Sequence, residues 1–355
     1  MAPVVGLEPL RNAVFALSVA IVLLSLLLLI QRTVAALLAR RSLRREALLT
    51  RLVYRAIHNA VNGSSGWDML TRLDLRTVRG ILLRLALDLR GETGEAIAGL
   101  YAELGFLPAD LKRLRSGWGS VRAKATADLG LIRATVALPA LLERLSDPDD
   151  RVRQTAVWAV GQVGGQETLA GLIPLLGDPD RIVARRVEEV LAERGREAKD
   201  ALLRYAGKTS NRGGRLAAIE LIGWLRIVEA ADLLLGFMTD RDSEVRVKSV
   251  KAAAAVGDPR FIDAFRRALG DTKWEVRCQA AKGLSLFGSP ESISQLEAAM
   301  RDEHWWVRFY AATALAEAGP AGVEALVNAM LDPAQQVRTM AKYLLERGEA
   351  IPALP

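Results

Sequence analysis

The hydrophobic positions in the last two-thirds of the chain repeat with a period of about 31 residues. Valine recurs at this spacing, with glycine in one register and the last valine one position early: Val121, Val152, Val183, Gly214, Val245, Val276, Val307 and Val337. An aspartate stands five positions before most of these residues, and an arginine follows most of them directly. A fixed period of this length indicates a solenoid, because one unit cannot bury its apolar face alone and must stack on its neighbours.

Each repeat predicts two helices. Small or apolar residues recur four and eight positions after the valine and share one helix face with it. Glycines twelve positions on are expected to end this first helix in the left-handed conformation: Gly164, Gly195, Gly257, Gly288 and Gly319. A second amphipathic helix follows, and no stretch alternates as a strand would. The predicted fold is all-α, a right-handed α-solenoid of about eight helical hairpins over 117–350 with a tail at 351–355.

An apolar segment precedes the repeats. The stretch from Asn12 to Gln31 carries no charge, and a helix of about 20 residues spans the hydrocarbon core of a bilayer. Five arginines that follow are expected to meet lipid headgroups: Arg32, Arg40, Arg41, Arg44 and Arg45. The positive-inside rule then predicts a single-pass anchor at 1–31 in the inner (plasma) membrane, with the N-terminus outside and the solenoid cytoplasmic. A cleaved signal peptide is the alternative, disfavoured because the positive charge follows the apolar run.

Two further segments separate the apolar run from the repeats. Residues 32–61 predict a basic juxtamembrane helix, and residues 62–116 predict a helical capping region with helices over 67–90 and 93–104. A solenoid needs such an atypical start, since its first repeat would otherwise expose its apolar face.

Composition narrows the chemistry. The chain has one cysteine, Cys278, and two histidines, which excludes an internal disulfide framework and a cysteine-rich zinc site. Residues 1–115 carry 16 basic and 9 acidic side chains, whereas residues 116–355 carry 32 of each. The repeat array is therefore neutral, and the net positive charge lies in the N-terminal third.

One face of the first helices is predicted to point outward. The positions one and two before the valine, and two, three and six after it, lie opposite the buried stripe. On this face and next to it lie aromatic and basic residues: Trp158, Arg185, Arg186, Lys248, Lys251, Trp274, Lys282, Trp305, Trp306, Phe309, Tyr310 and Tyr343. Aromatic residues make up only 5% of the chain, so their concentration here predicts a protein-binding surface with a basic flank. The alternative is that some rings turn inward and fill gaps between repeats.

Two details refine this picture. Trp274 and Trp305 occupy equivalent positions in consecutive repeats and are expected to lie side by side, with His304 in the same patch. The fourth copy departs from the pattern at Gly214, which predicts a bend or a loosened joint. A phosphate loop is disfavoured there, because the glycine-lysine spacing of that motif is absent and no strand precedes it.

Segments such as 147–156, with the sequence Asp-Pro-Asp-Asp-Arg-Val-Arg-Gln-Thr-Ala, resemble HEAT repeats of the short class known from phycobilisome lyases. The resemblance covers about 117–350 and implies that the first helices line the concave face of the array. Together with the apolar segment and the basic helix, the chain is similar to bacterial membrane-anchored HEAT-repeat scaffolds. The recurring aspartate and arginine are expected to form ladders that tie one repeat to the next.

Three catalytic interpretations are weak. A bilin lyase is suggested by the resemblance alone. Iron hydroxylases of the HEAT type need several His-Glu pairs, and this chain has Glu303-His304 in the reverse order. In HEAT-like DNA glycosylases aromatic residues and a carboxylate lie in a basic cleft, which Trp305, Trp306 and Asp302 could mimic, but the array is neutral. We therefore expect no enzyme, no cofactor, no metal site and no nucleic-acid partner.

The expected function is that of a membrane-anchored scaffold or adaptor. Its solenoid would bind a protein partner, either a peptide segment or the cytoplasmic face of a membrane protein. The alternative from another class is a structural element that only self-associates.

Overall fold

The computed structural model describes residues 8–64, 68–71, 74–287 and 289–346, with the backbone alone for much of 8–45 and for 68–69. The chain divides into two compact units, Met1–Lys112 and Arg113–Pro355. All regular elements among the described residues are helices, as the periodicity predicts.

The first unit is built around one long helix. Its helices are α1 (Glu8–Val61), α2 (Asp68–Thr71), α3 (Leu75–Asp88), α4 (Glu92–Glu103) and α5 (Phe106–Arg113). Helix α1 buries Leu49, Val53 and Ile57, and packs on α3 and α4. The helix predicted over 67–90 is instead two helices, because the Asp74 carboxylate accepts a hydrogen bond from the Arg76 amide and starts α3 there.

The predicted transmembrane anchor is contradicted. In the described part of the chain no helix combines the length and the apolar content that crossing a membrane requires. The apolar segment is one portion of α1, which runs for 54 residues without interruption through the predicted juxtamembrane helix. The boundary between 31 and 32 stays a prediction.

The contact of the five arginines with lipid remains a prediction, as does the localisation. Arg32 is exposed. The side chains of Arg40, Arg41, Arg44 and Arg45 lie outside the described residues.

A buried polar triad joins three helices of the first unit. The guanidinium of Arg79 pairs with the fully buried Asp110 at 2.6 Å, and its Nε donates to the Tyr101 hydroxyl at 3.0 Å. That hydroxyl donates to Asp110 at 2.5 Å. Burial and the bond to Asp110 raise the pKa of Tyr101 above its ordinary value, so the hydroxyl stays protonated and keeps donating.

The described part of the second unit stacks helical hairpins, with eight first helices. These are α6 (Gly119–Leu131), α8 (Asp150–Val163), α10 (Arg181–Arg194), α12 (Arg212–Trp224), α14 (Ser243–Val256), α16 (Trp274–Ser285), α18 (Trp305–Glu317) and α20 (Gln335–Glu346). The helices between them are α7 (Leu138–Arg144), α9 (Gln166–Leu172), α11 (Lys199–Lys208), α13 (Ala231–Phe237), α15 (Ile262–Ala268), α17 (Pro290–Ala299) and α19 (Pro320–Ala329). Short 3-10 turns join several of them, at Thr135–Ala137, Ile173–Gly177, Gly195–Ala198, Val228–Ala230 and Pro259–Phe261.

The buried stripe lies where the repeating pattern places it. In seven of the eight copies the position of the valine is buried, and in all eight the position four places later is fully buried. In the last copy the stripe shifts by one position, so Leu344 is buried and the predicted Leu345 is only half-buried.

A residue with positive φ follows most of the first helices that the structure describes. The predicted αL backbone occurs at Gly257 (ψ 26°), whereas Gly164, Gly195 and Gly319 have ψ between −122° and −171°. Four of the predicted glycines have positive φ, between 51° at Gly195 and 84° at Gly319, and Gly288 lies outside the described residues. In the first and fourth copies arginine takes the same position, also with positive φ, at Arg133 (φ 52°) and Arg226 (φ 50°). The repeat geometry thus imposes a positive φ even where no glycine is present.

Arginine-aspartate ladders connect consecutive repeats, as predicted. Two-pronged pairs with N–O distances of 2.6–2.9 Å join Arg122 to Asp147, Arg246 to Asp271 and Arg277 to Asp302. Looser pairs join Arg153 to Asp178 at 3.4 Å and Arg215 to Asp240 at 3.6 Å. Each of these arginines also donates to a backbone carbonyl six positions before it. One guanidinium therefore fixes a turn in its own repeat and the register of the next.

The joint before the fourth copy differs from the others. Helices α10 and α12 touch only marginally, and the 3-10 turn Ile173–Gly177 packs against both. Gly214 lies against the Tyr205 hydroxyl and the backbone of Gly177. Any Cβ at 214 would collide there, so glycine replaces valine for steric reasons. The interrupted packing agrees with the predicted loosening.

Candidate partner-binding surface

Five aromatic side chains form one connected cluster on the last two first helices. Helix α18 contributes Trp305, Trp306, Phe309 and Tyr310, and α20 contributes Tyr343; we call these five residues the aromatic cluster. Trp305 stacks on Phe309 with centroids 5.2 Å apart, and its edge meets Trp306 at 4.8 Å. Trp306 stacks on Tyr310 at 6.0 Å, and Phe309 contacts Tyr343 at 6.4 Å. The rings therefore hold one another in place before any partner binds.

The aromatic cluster faces solvent. Trp305 and Trp306 each expose 45% of their surface and Tyr343 exposes 39%, so the outward orientation predicted for these three is confirmed. Phe309 and Tyr310 are half-buried beneath them. The ammonium group of Lys282 lies 3.8 Å above the Tyr310 ring, a cation-π contact that extends the cluster toward α16.

An open groove of about 520 Å³ runs along the edge of the aromatic cluster, between α18 and α20. Trp305 and Tyr343 form its aromatic walls, and Met340 adds a flexible apolar surface. Its polar lining comes from Arg308, Gln335, Gln336 and Thr339. The groove thus offers both apolar area and hydrogen-bonding groups to a ligand.

The helix starts near the aromatic cluster have lost their capping side chains. In α8, α10 and α14 an N-cap aspartate accepts a hydrogen bond from the backbone, and in α12 Asn211 does so. Helices α16 and α18 have Lys273 and His304 at that position, and neither side chain caps. A missing cap costs about 1 kcal/mol of stability, and α6 lacks one as well, with Trp118 at its N-cap position.

His304 instead stacks on Trp274. The two rings lie 3.9 Å apart and 8° from parallel. The Trp274 ring thus contacts the residue directly before Trp305, and His304 lies in the patch where the sequence places it. This stack crosses the joint between α16 and α18 and continues the aromatic surface onto α16.

The remaining predicted residues lie elsewhere on the first helices. Trp158 is half-buried against the backbone of α6 at Gly130, so it fills a gap between repeats. Arg185 and Arg186 are exposed on α10, and Arg185 pairs with Glu189 at 3.5 Å. The structure does not bring these three residues into contact with the aromatic cluster.

Lys248 and Lys251 belong to a second, smaller groove. Both pair with Glu220, at 2.5 Å and 3.8 Å, and the groove of about 200 Å³ also includes Trp224. Trp224 exposes 67% of its surface and was not among the predicted residues. It lies ten positions after the valine register, a position that also points outward at 100° per residue and that could have been included.

Ionisation adds little chemistry to this surface. Cys278 is buried on α16, and burial raises the pKa of its thiol to about 11, so it remains protonated at neutral pH. In the part of the chain that the structure describes, no group of three or more His, Cys, Asp or Glu side chains is placed to hold a metal ion.

Several solved structures that are similar to this chain are karyopherins. The crystal structure of Kap121p is 18% identical, with 84% of this chain and 41% of that chain covered and a TM-score of 0.51. The karyopherin Kap121p bound to the SUMO protease Ulp1p gives the same values, and Kap121p bound to Nup53p gives 17% identity, 84% and 41% coverage and a TM-score of 0.50. The chain thus spans about two-fifths of the length of these proteins, and at such identity the likeness shows the fold alone.

No curated protein matches the sequence significantly. The family of HEAT repeats matches five overlapping segments, at residues 107–192, 169–246, 199–277, 232–307 and 267–346. These segments cover well over half of the chain and coincide with the stacked hairpins of the second unit. The chain therefore belongs to the HEAT-repeat proteins.

Proposed function

We propose that this protein is a binding scaffold whose solenoid holds a protein partner against the aromatic cluster. The observation that carries the proposal is the solvent exposure of Trp305 and Trp306, each at 45%, within a set of rings that are already packed together. Tryptophan and tyrosine are the residues most enriched among those that dominate binding energy, and rings fixed beforehand lose little entropy on binding.

The repeat architecture suits this role. A solenoid offers a long surface with no enclosed reaction chamber, and the ladders hold that surface in one register. The Kap121p structures that share the fold include complexes with Nup53p and with the SUMO protease Ulp1p. These complexes support binding of a protein partner as the use of the fold, and the proposal includes no catalytic step.

Site-specific photo-crosslinking tests the proposal. A benzoylphenylalanine placed at Trp306 in the cell should give a defined adduct with another protein. The same group at Trp118, which exposes 76% of its surface at the start of α6 and away from the aromatic cluster, serves as the matched control and should give none.

Two outcomes would contradict the proposal. Equal adducts from both positions would show that exposure alone explains the reaction. An adduct with twice the mass of the chain would instead identify self-association as the use of this surface.

A further inference from the structure

Within the part of the solenoid that the structure describes, the last joint leaves one arginine without a carboxylate partner. In five joints the arginine after the valine register pairs with the aspartate at the start of the next repeat, with N–O distances of 2.6–3.6 Å. Arg308 occupies that register in α18, but the position equivalent to the aspartate is Pro333. Among the described residues Arg308 forms no ion pair.

The shortened spacing explains this difference. Asp332 lies one position too early for the register, and its carboxylate is already occupied: one oxygen accepts from the Ala334 amide at 2.8 Å and the other pairs with Arg301. Arg308 keeps only the bonds within its own turn, in which Nη1 donates to the carbonyls of Asp302 at 2.8 Å and Glu303 at 2.9 Å. Its Nε is buried without a hydrogen-bond partner. In the closely paired ladders the arginine Nε donates to an aspartate. At Arg308 this donor therefore has no carboxylate partner.

This guanidinium lines the groove beside the aromatic cluster. Trp305 and Tyr343 flank it, and the amides of Gln335 and Gln336 lie along the same groove. Two further cations lie nearby without an ion pair in the described chain, Lys282 above Tyr310 and Lys273 next to Trp274. The nearest acidic side chain in sequence, Glu303, is 3.5 Å from Arg277 and thus belongs to the ladder of the preceding joint.

We infer that the groove binds an extended acidic-apolar peptide of the partner, with an aspartate or glutamate on Arg308 and an adjacent large apolar side chain between Trp305 and Tyr343. The carboxylate takes the place of the aspartate that the ladder lacks at this joint. Nη1 is held by the two turn carbonyls and Nε is buried, so Nη2 is the group that can donate to a carboxylate in the groove. A charge-assisted bond of this kind is stronger for a half-buried guanidinium than for a solvated one. This inference rests on the proposed function and adds the chemical class of the ligand.

The experiment uses the full chain and a displayed library of short random peptides. Selection on the wild type should enrich peptides that have an acidic residue next to a large apolar one. For the leading synthetic peptide, exchange of the carboxylate for its amide should lower the affinity about ten-fold or more, measured by fluorescence anisotropy.

The variants assign this preference to one residue. In Arg308→Gln the acid and amide peptides should bind equally, and in Arg308→Lys the preference should be intermediate, because the charge remains and the fork is lost. Arg338→Gln is the matched control, since Arg338 makes the same bonds to two turn carbonyls in the next repeat but does not line the groove. It should keep the wild-type preference.

Failure of the inference and failure of the proposed function are distinguishable. Selected peptides without acidic residues, or an acid preference that persists in Arg308→Gln, would overturn the inference. If such peptides still lose their affinity in Trp305→Ala/Trp306→Ala, the proposed function stands without it. An acid preference that depends on Arg308, together with an affinity that is unchanged in Trp305→Ala/Trp306→Ala, would support the carboxylate site but contradict both the apolar contact with Trp305 and the proposed function.

Discussion

Replacing Gly214 by alanine should destabilise the solenoid, although it moves the sequence toward the valine of the other repeats. A consensus substitution usually stabilises a repeat protein, and alanine in place of glycine in a helix gains up to about 1 kcal/mol. Here a Cβ would overlap the Tyr205 hydroxyl oxygen and would lie 3.1 Å from Cζ of the same ring and 3.2 Å from the Gly177 backbone nitrogen. Overpacking of this kind costs about 1–3 kcal/mol. The expected net loss is therefore roughly 1–2 kcal/mol.

The assay is urea unfolding of the full chain followed by circular dichroism. Gly213→Ala is the matched control on the same helix, because its Cβ would meet only Asn211 Oδ1 at an ordinary 3.4 Å; it should be neutral or slightly stabilising. Tyr205→Phe removes the overlapping oxygen and loses only a 3.5 Å contact with the Pro174 carbonyl, so the double variant should recover about 1 kcal/mol through coupling of the two sites.

One result would refute the reasoning. If Gly214→Ala stabilised the chain as much as a consensus change normally does, the close approach of α12 to the turn at Gly177 would not exist in solution. The explanation of the irregular fourth joint would then fail with it.

Three further predictions concern the ladders, one strained turn and the buried thiol. The ladder aspartates concerned are Asp147, Asp271 and Asp302. Burial alone would raise their pKa values, but hydrogen bonds from arginine and from backbone amides outweigh burial and hold these pKa values below that of a free aspartate. The ladders should therefore stabilise the fold fully above the unfolded-state pKa of about 4, and this stabilisation should be lost as the pH falls below it. Free energies of unfolding measured between pH 5 and 2.5 would show the loss. A stability that is constant across this range would contradict the ladders. Arg226→Gly should raise the free energy of unfolding by about 1 kcal/mol, because the left-handed backbone there no longer strains a Cβ; a loss of stability would count against that strain. Cys278 should react with a disulfide reagent at pH 8 about 100-fold more slowly in the native chain than in urea, and comparable rates would show that the thiol is accessible.

The register of the repeats could be predicted from the sequence because it depends on spacing alone. The valine positions, the small residues four places later and the arginine-aspartate ladders all follow from a helix that returns at one fixed interval. The left-handed turn was predicted at glycines, but Arg133 and Arg226 show that the stacked geometry and not the residue type dictates it. The residues of one repeat cannot reveal a positive φ at arginine, because packing against the neighbouring repeats offsets the backbone strain.

The sequence could predict which helix face carries the candidate site, but it could not predict which side chains contact one another there. The exposed aromatic residues followed from helical periodicity, whereas the stack of Trp274 on His304 depends on side-chain directions across a joint. Arg308 lacks an ion pair among the described residues for two reasons: the last repeat spacing is one residue shorter, and Arg301 already pairs with Asp332. The membrane anchor was inferred from local hydropathy, and that inference is contradicted in the described chain.

The central claim is that the aromatic cluster carries the binding energy for a protein partner. The most direct test is the affinity of the cross-linked partner, once purified, for the wild type and for Trp305→Ala/Trp306→Ala, with Trp118→Ala as control and circular dichroism as the check of folding. At about 2 kcal/mol for each tryptophan, the double variant should bind roughly 1,000-fold more weakly, while Trp118→Ala should match the wild type. A folded double variant with an affinity within a few-fold of the wild type would show that this surface is packing and not a binding site.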